Sequence, residues 1–316
     1  MTFRRWFTPV AAAVAVGGLG WALWSCRSAI EAFDWGFSWP AIVVAAVLFA
    51  LSPLIQAISF HILLAELGAP VRFLSATVVW TRSFLLRYAP TGVMGLAYRL
   101  RESGRLGVSP ARMATATVYE QIAVLTAGAL ACASGFLLAS SRPPAAAIAI
   151  LAVALLVLAA LRPSWGGHLV RPLLRRRGID VSALVRGRVL ALVVALNSAG
   201  WMATAAGVWV LVDGIAGPAP DPAWLGGSHA FAWMLGFIVP FLPGGLGLRD
   251  GTLAALLAVP YSPGVGAALA LAVRLVGMLG ELVAAGVAEV AAAVSGIETK
   301  SSPMGSVSPA LKSERR

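Results

Sequence analysis

Of the 316 residues, 59% are hydrophobic and only 12% charged, against roughly 45–50% and about 25% in soluble proteins. A mean hydropathy of +0.86 excludes a water-soluble globule, and lipid as solvent leaves only helices or a closed barrel. The apolar runs are too long and too unalternating for barrel strands, so the chain is all-α.

In chain order, residues 8–26 form the first apolar run. We read it as an uncleaved helix rather than a signal peptide, because bulky Trp24 stands where a processed Cys26 wants a small residue. Trp21, Trp24, Trp35 and Trp39 then read as an interfacial aromatic belt. Further spanning candidates are 41–65, 113–139, 145–161 at the short limit, 189–212 and 264–295. Segments 73–99 and 229–250 are interrupted at membrane depth by Pro and Gly, so the expectation is about 7–8 spanning helices plus re-entrant or broken ones. They make one transmembrane domain over 1–297, followed by a polar, aperiodic tail at 298–316, expected to be disordered.

The net charge of +11 separates by side. The N-terminus carries +2, residues 66–112 carry +5, residues 162–188 carry +6 and the tail carries +2, while the alternate connections 27–40, 140–144 and 213–228 together carry −2. Cytoplasmic loops are the ones rich in Lys and Arg, which predicts a multi-pass cell-membrane protein with both termini cytoplasmic. The basic surplus is a topology signal, and no nucleic-acid partner is implied. Arg101, Arg105 and Arg112 read as a generic headgroup-binding cluster, and Arg175, Arg176 and Arg177 as an anchor.

The two broken segments match at one ungapped spacing of 153 residues, which superposes Pro90 on Pro243, Gly92 on Gly245, and Ser109-Pro110 on Ser262-Pro263. The units, about 41–139 and 189–295, enter from opposite sides by the charge map. They therefore form an inverted-topology repeat, in which transporters build a midplane site from interrupted helices.

The stretch Arg87-Tyr88-Ala89-Pro90-Thr91-Gly92, with Gly95 and Arg99 downstream, resembles the basic-Tyr-x-Pro-Gly…Arg signature of the lysylphosphatidylglycerol synthase transmembrane-region family. Pro243-Gly244-Gly245-Leu246-Gly247-Leu248-Arg249-Asp250-Gly251 resembles that family's Pro-Gly-Gly-Leu-Gly-x-Arg-Glu-Gly motif. Thr91 stands where the family commonly has Gly, and Asp250 where it commonly has Glu. The resemblance spans about 41–289, including Glu120 and Arg274 where the family tends to carry charge. It implies the membrane half of such proteins, without the aminoacyl-transferase domain, associated with moving a charged or glycosylated lipid between leaflets. Relatives occur beside enzymes of glycolipid, polyprenyl-linked sugar and hopanoid synthesis, which are the partners it implies besides the lipid.

Glu120, Arg249, Asp250, Arg274, Glu281 and Glu289 lie in or beside apolar segments, where an ionised group at a helix centre costs about 2.5–3.5 kcal/mol and so faces a partner or a wet cavity. Glu120 and Arg274 are expected to pair across the units. Arg274, Glu281 and Glu289 recur every 7–8 residues and share one helix face. Arg249 and Asp250 open a half-helix after a Gly-rich turn, a place for an anion. The candidate lipid-binding set is thus Tyr88, Pro90, Gly92, Gly95, Arg99, Glu120, Pro243, Gly244, Gly245, Gly247, Arg249, Asp250, Arg274 and Glu281. Gln56, His61 and Asn197 read as interhelical hydrogen bonders. His168 and His229 lack metal-ligand spacing, and with two cysteines, Cys26 and Cys132, no metal or cofactor is implied. Without a nucleophile–base pair the leading reading is a lipid flippase and not an enzyme; a membrane enzyme or an accessory subunit of lipid biosynthesis stands as the alternative.

Overall fold

The computed structural model describes Trp24 and residues 27–88, 94–139, 185–238 and 247–296. Among these residues the chain is all-helical, without strands. After the short α1 (Arg27–Glu31) come α2 (Trp39–Glu66), α3 (Phe73–Leu85) with a 3-10 turn at Leu86–Tyr88, α4 (Met94–Glu102) and α5 (Pro110–Ala139). The same order then recurs as α6 (Gly187–Ala216), α7 (Pro222–Ile238), α8 (Leu248–Leu257) and α9 (Pro263–Val294). Each unit is long–short–short–long, with the Pro-Gly segment between its short helices.

Local chemistry explains the matching starts of α5 and α9. The Ser109 hydroxyl accepts the Arg112 N–H at 3.3 Å, and the Ser262 hydroxyl accepts the Val265 N–H at 3.4 Å. Pro110 and Pro263 follow at the first helical position, where a missing N–H costs nothing.

Four helices, α2, α5, α6 and α9, are long and apolar enough to cross a membrane. The expected total of 7–8 is not reached among the described residues. With 13 and 17 residues, α3 and α7 rise only about 20–26 Å at 1.5 Å per residue, short of the ~30 Å hydrocarbon layer. Residues 145–161, and 8–26 apart from Trp24, lie outside the described residues, as does the tail 298–316.

The two units run in opposite directions. Glu66 at the end of α2 bonds Arg186 just before α6, Ser59 accepts from Asn197 at 3.2 Å, and Gly214 near the end of α6 lies against Ala41 at the start of α2. The α2–α6 pair is therefore antiparallel. Elsewhere the units exchange elements, α5 packing on α7 and α9 on α3. Aligned from their first residues, α3 with α7 and α5 with α9, the contact of Val78 with Ala288 corresponds to that of Gly227 with Gly135, and Arg82–Glu289 corresponds to Phe231–Phe136. The α3–α9 contact closes one end of the bundle and the α5–α7 contact the other.

The end bearing Arg72, Arg101, Arg105, Arg112 and Arg186 is basic, and the end bearing Glu31, Asp34, Asp213 and Asp221 is acidic. Region 66–112 is not simply a basic connection, however: Arg82, Arg87 and Arg99 belong to helical segments that pack into the bundle.

Without apolar solvent exclusion between helices in lipid, close backbone approach carries the packing. A Cβ at Gly135 would stand 2.5 Å from the Ala223 carbonyl oxygen and 2.7 Å from the Gly227 nitrogen. Because backbone cannot yield as a side chain does, Gly135→Val is expected to cost at least about 1–3 kcal/mol. A fall in the melting temperature of the purified protein checks this, and an unchanged melting temperature contradicts the packing described.

Candidate functional site

Two buried ion pairs occupy equivalent places in the units, with opposite polarity. In the first unit Arg99 of α4 donates to a Glu120 oxygen of α5. Trp80 Nε1 donates to the other oxygen at 2.5 Å, so both carboxylate oxygens are held. Arg99 also donates through Nε to Ser83 at 2.7 Å, and its guanidinium lies 4.6 Å from the Phe60 ring centroid. Glu120 is 0% and Arg99 5% exposed. In the second unit Asp250 of α8 faces Arg274 of α9 at 3.8 Å, both buried. Aligning α5 with α9 sets Glu120 beside Arg274, so base and acid have exchanged helices. The expected Glu120–Arg274 pair across the units is therefore corrected. Each closes within its own unit, because the short helices α4 and α8 bring the nearer partner.

The polar face of α9 is present, and its members meet different partners. Glu289 takes Arg82 through Nε at 2.5 Å and Nη2 at 2.8 Å. Glu281 accepts from Arg87 through one oxygen and from the Tyr88 hydroxyl at 2.7 Å through the other. Arg274 lies 5.2 Å from the Tyr88 ring centroid. Arg87 and Tyr88 come from the first unit and Glu281 from the second, so this cluster ties the repeats together beside their break.

That tie forms one wall of a central cavity of about 60 Å³, enough for a few waters. Aligning α2 with α6 pairs its lining residues Pro53 with Trp201 and Gln56 with Thr204. The alignment of α3 with α7 pairs Phe84 with Trp233, and that of α5 with α9 pairs Val124 with Gly277. The cavity therefore sits where the two antiparallel units meet, midway between the ends. Pro53 removes one helix hydrogen bond from α2 at this depth.

The α8 helix presents Arg249 to the same cavity. Gly247 stands at φ 89°, in the left-handed region that disfavours any residue with a Cβ, and forms the N-cap of α8. Arg249 and Asp250 lie in the first turn of α8 rather than ahead of it. Arg249 makes no ion pair or hydrogen bond to a described residue, although Arg87, Arg274, Asp250 and Glu281 all lie within electrostatic reach.

Of the candidates named from sequence, Tyr88, Glu281, Arg249, Asp250 and Arg274 converge at or beside the cavity. Arg99 and Glu120 form the separate buried pair, and Gly95 lets α4 approach the Ser83 carbonyl oxygen of α3. Pro90, Gly92, Pro243, Gly244 and Gly245 lie outside the described residues. Arg87, Trp80 and His229 join the candidates only in the structure: Arg87 lies in the first motif, and no local signal in the sequence marks Trp80 or His229.

Residues 9–285 match the lysylphosphatidylglycerol synthase TM region family, and the chain belongs to it. No curated protein matches the chain. Family and helices together establish a multi-pass membrane protein related to lipid biosynthesis.

Proposed function

We propose that this member of the lysylphosphatidylglycerol synthase TM-region family is a lipid flippase, moving a charged or glycosylated lipid between leaflets with its headgroup passing the central cavity. The observation that carries this reading is the cavity itself, lined by equivalent residues of two antiparallel units and furnished with buried charge. Charge at that depth is costly unless it serves a partner or a passage. An inverted repeat offers the cavity to each side in turn, by parting the α3–α9 contact at one end or the α5–α7 contact at the other. The basic end, by the distribution of arginine, faces the cytoplasm.

Purified protein in vesicles, with a fluorescent lipid quenched from one leaflet, tests the reading. Wild type is expected to speed leaflet exchange at least tenfold over protein-free vesicles, and Arg249→Ala or Asp250→Ala to remove most of that gain without loss of expression. Exchange no faster than in protein-free vesicles overturns the reading and favours an accessory or enzymatic role in lipid biosynthesis.

A further inference from the structure

We propose that the central cavity recognises a net-anionic phosphate group, with Arg249 as its cation and His229 as the second contact that orients it. The assignment of this group to a lipid headgroup rests on the transport reading above; the chemistry of the site does not.

The charges around the cavity do not balance. Glu281 is engaged by Arg87 and Tyr88, and Asp250 faces Arg274. Among the described residues three arginines, Arg87, Arg249 and Arg274, thus stand against two carboxylates, and Arg249 is the one of the three with no hydrogen bond or ion pair to them. An anion neutralises this surplus, whereas a cationic headgroup adds to it. A planar guanidinium fits two phosphate oxygens side by side and leaves others for a second donor.

His229 of α7 is placed to be that donor. Its ring lines the same cavity, is 3% exposed and lies 6.4 Å from the ring of Trp201, and its buried Nδ1 has no hydrogen-bond partner among the described residues. A buried polar atom left unpaired is unfavourable and calls for an explanation. A ligand oxygen accepting an imidazole N–H supplies one. Arg249 and His229 come from the two short helices of the second unit and so flank the cavity from adjacent elements. The small volume admits a compact group more readily than a sugar or an aminoacyl arm, either of which requires the helices to part.

The test uses the full chain in phosphatidylcholine nanodiscs, with protein-free discs subtracted, and measures binding of four probes: inorganic phosphate, dihexanoyl phosphatidylglycerol, dihexanoyl phosphatidylcholine and a dihexanoyl lysylphosphatidylglycerol. Phosphatidylglycerol is expected to bind at least tenfold more tightly than the zwitterionic and cationic probes. Arg249→Gln should weaken it at least tenfold and His229→Phe about tenfold, with His229→Gln, which keeps a donor, recovering part of the loss at wild-type thermal stability. Inorganic phosphate binding as tightly as the lipid supports the phosphate site and makes the free anion its source. Equal binding of all lipids, tighter binding of the cationic one, or wild-type affinity in well-folded Arg249→Gln and His229→Phe proteins overturns the proposal. Selective phosphate binding without leaflet exchange would sink the transport reading and leave this site standing; leaflet exchange with a preference for the cationic lipid would do the reverse.

Discussion

Glu120→Ala is expected to destabilise the protein by about 3–5 kcal/mol, the usual consequence of leaving a buried charge without its partner. Glu120 is 0% exposed, with one oxygen held by Arg99 and the other by Trp80, so its removal strands a guanidinium and an indole N–H inside the first unit. Arg99 bridges α3 through Ser83 and α5 through Glu120, so the damage extends to the packing of three helices. Thermal unfolding of the purified protein measures the effect. Glu120→Gln, which keeps an acceptor for Trp80, is expected to lose less, and Arg99→Met with Glu120→Leu, which removes both charges, less than Glu120→Ala alone. Wild-type stability of Glu120→Ala would contradict the pairing. By contrast Arg82 and Glu289 retain side-chain exposures of 28% and 35%, and truncating either is expected to cost at most about 1 kcal/mol.

Glu281→Ala is expected to act on transport more than on stability. Glu281 holds Arg87 and Tyr88 across the boundary between the units, and the Tyr88 ring in turn lies against Arg274. Removing it raises the cationic surplus around the cavity by one and frees the contact that joins the first break to the last helix. Leaflet exchange is expected to fall at least tenfold, while the melting temperature falls less than in Glu120→Ala. Glu281→Gln, which still accepts from Tyr88 but carries no charge, should lie between. A variant that exchanges lipid at the wild-type rate would remove the inter-unit cluster from the mechanism.

The parts legible in sequence are those with local causes. Ser109-Pro110 and Ser262-Pro263 cap their helices as their residue types require, and the four long apolar runs fold as α2, α5, α6 and α9. The spacing of Arg274, Glu281 and Glu289 placed them on a shared face, because helical periodicity fixes this without a neighbour. What the sequence left open is which neighbour each charge meets. Sequence alone pairs Glu120 with Arg274, yet Glu120 reaches Arg99 because α4 packs onto α5, a tertiary consequence with no periodic signature. Segment 66–112 reads as a basic connection from its arginine content alone; three of those arginines instead pack into the bundle. His229 offers neither spacing nor motif and acquires meaning only from the cavity it lines.

In the proposed transport cycle the two inverted units part around this cavity, one end at a time, to pass a headgroup. The most direct test joins α3 to α9 across the packed residues Val78 and Ala288, about two helical turns along α9 from Glu281. A Val78→Cys, Ala288→Cys protein with Cys26 and Cys132 replaced by serine would be cross-linked with a short reducible bis-thiol reagent in vesicles and assayed for leaflet exchange. Exchange should stop when the link forms and return on reduction. Unchanged exchange by fully cross-linked protein would contradict this cycle.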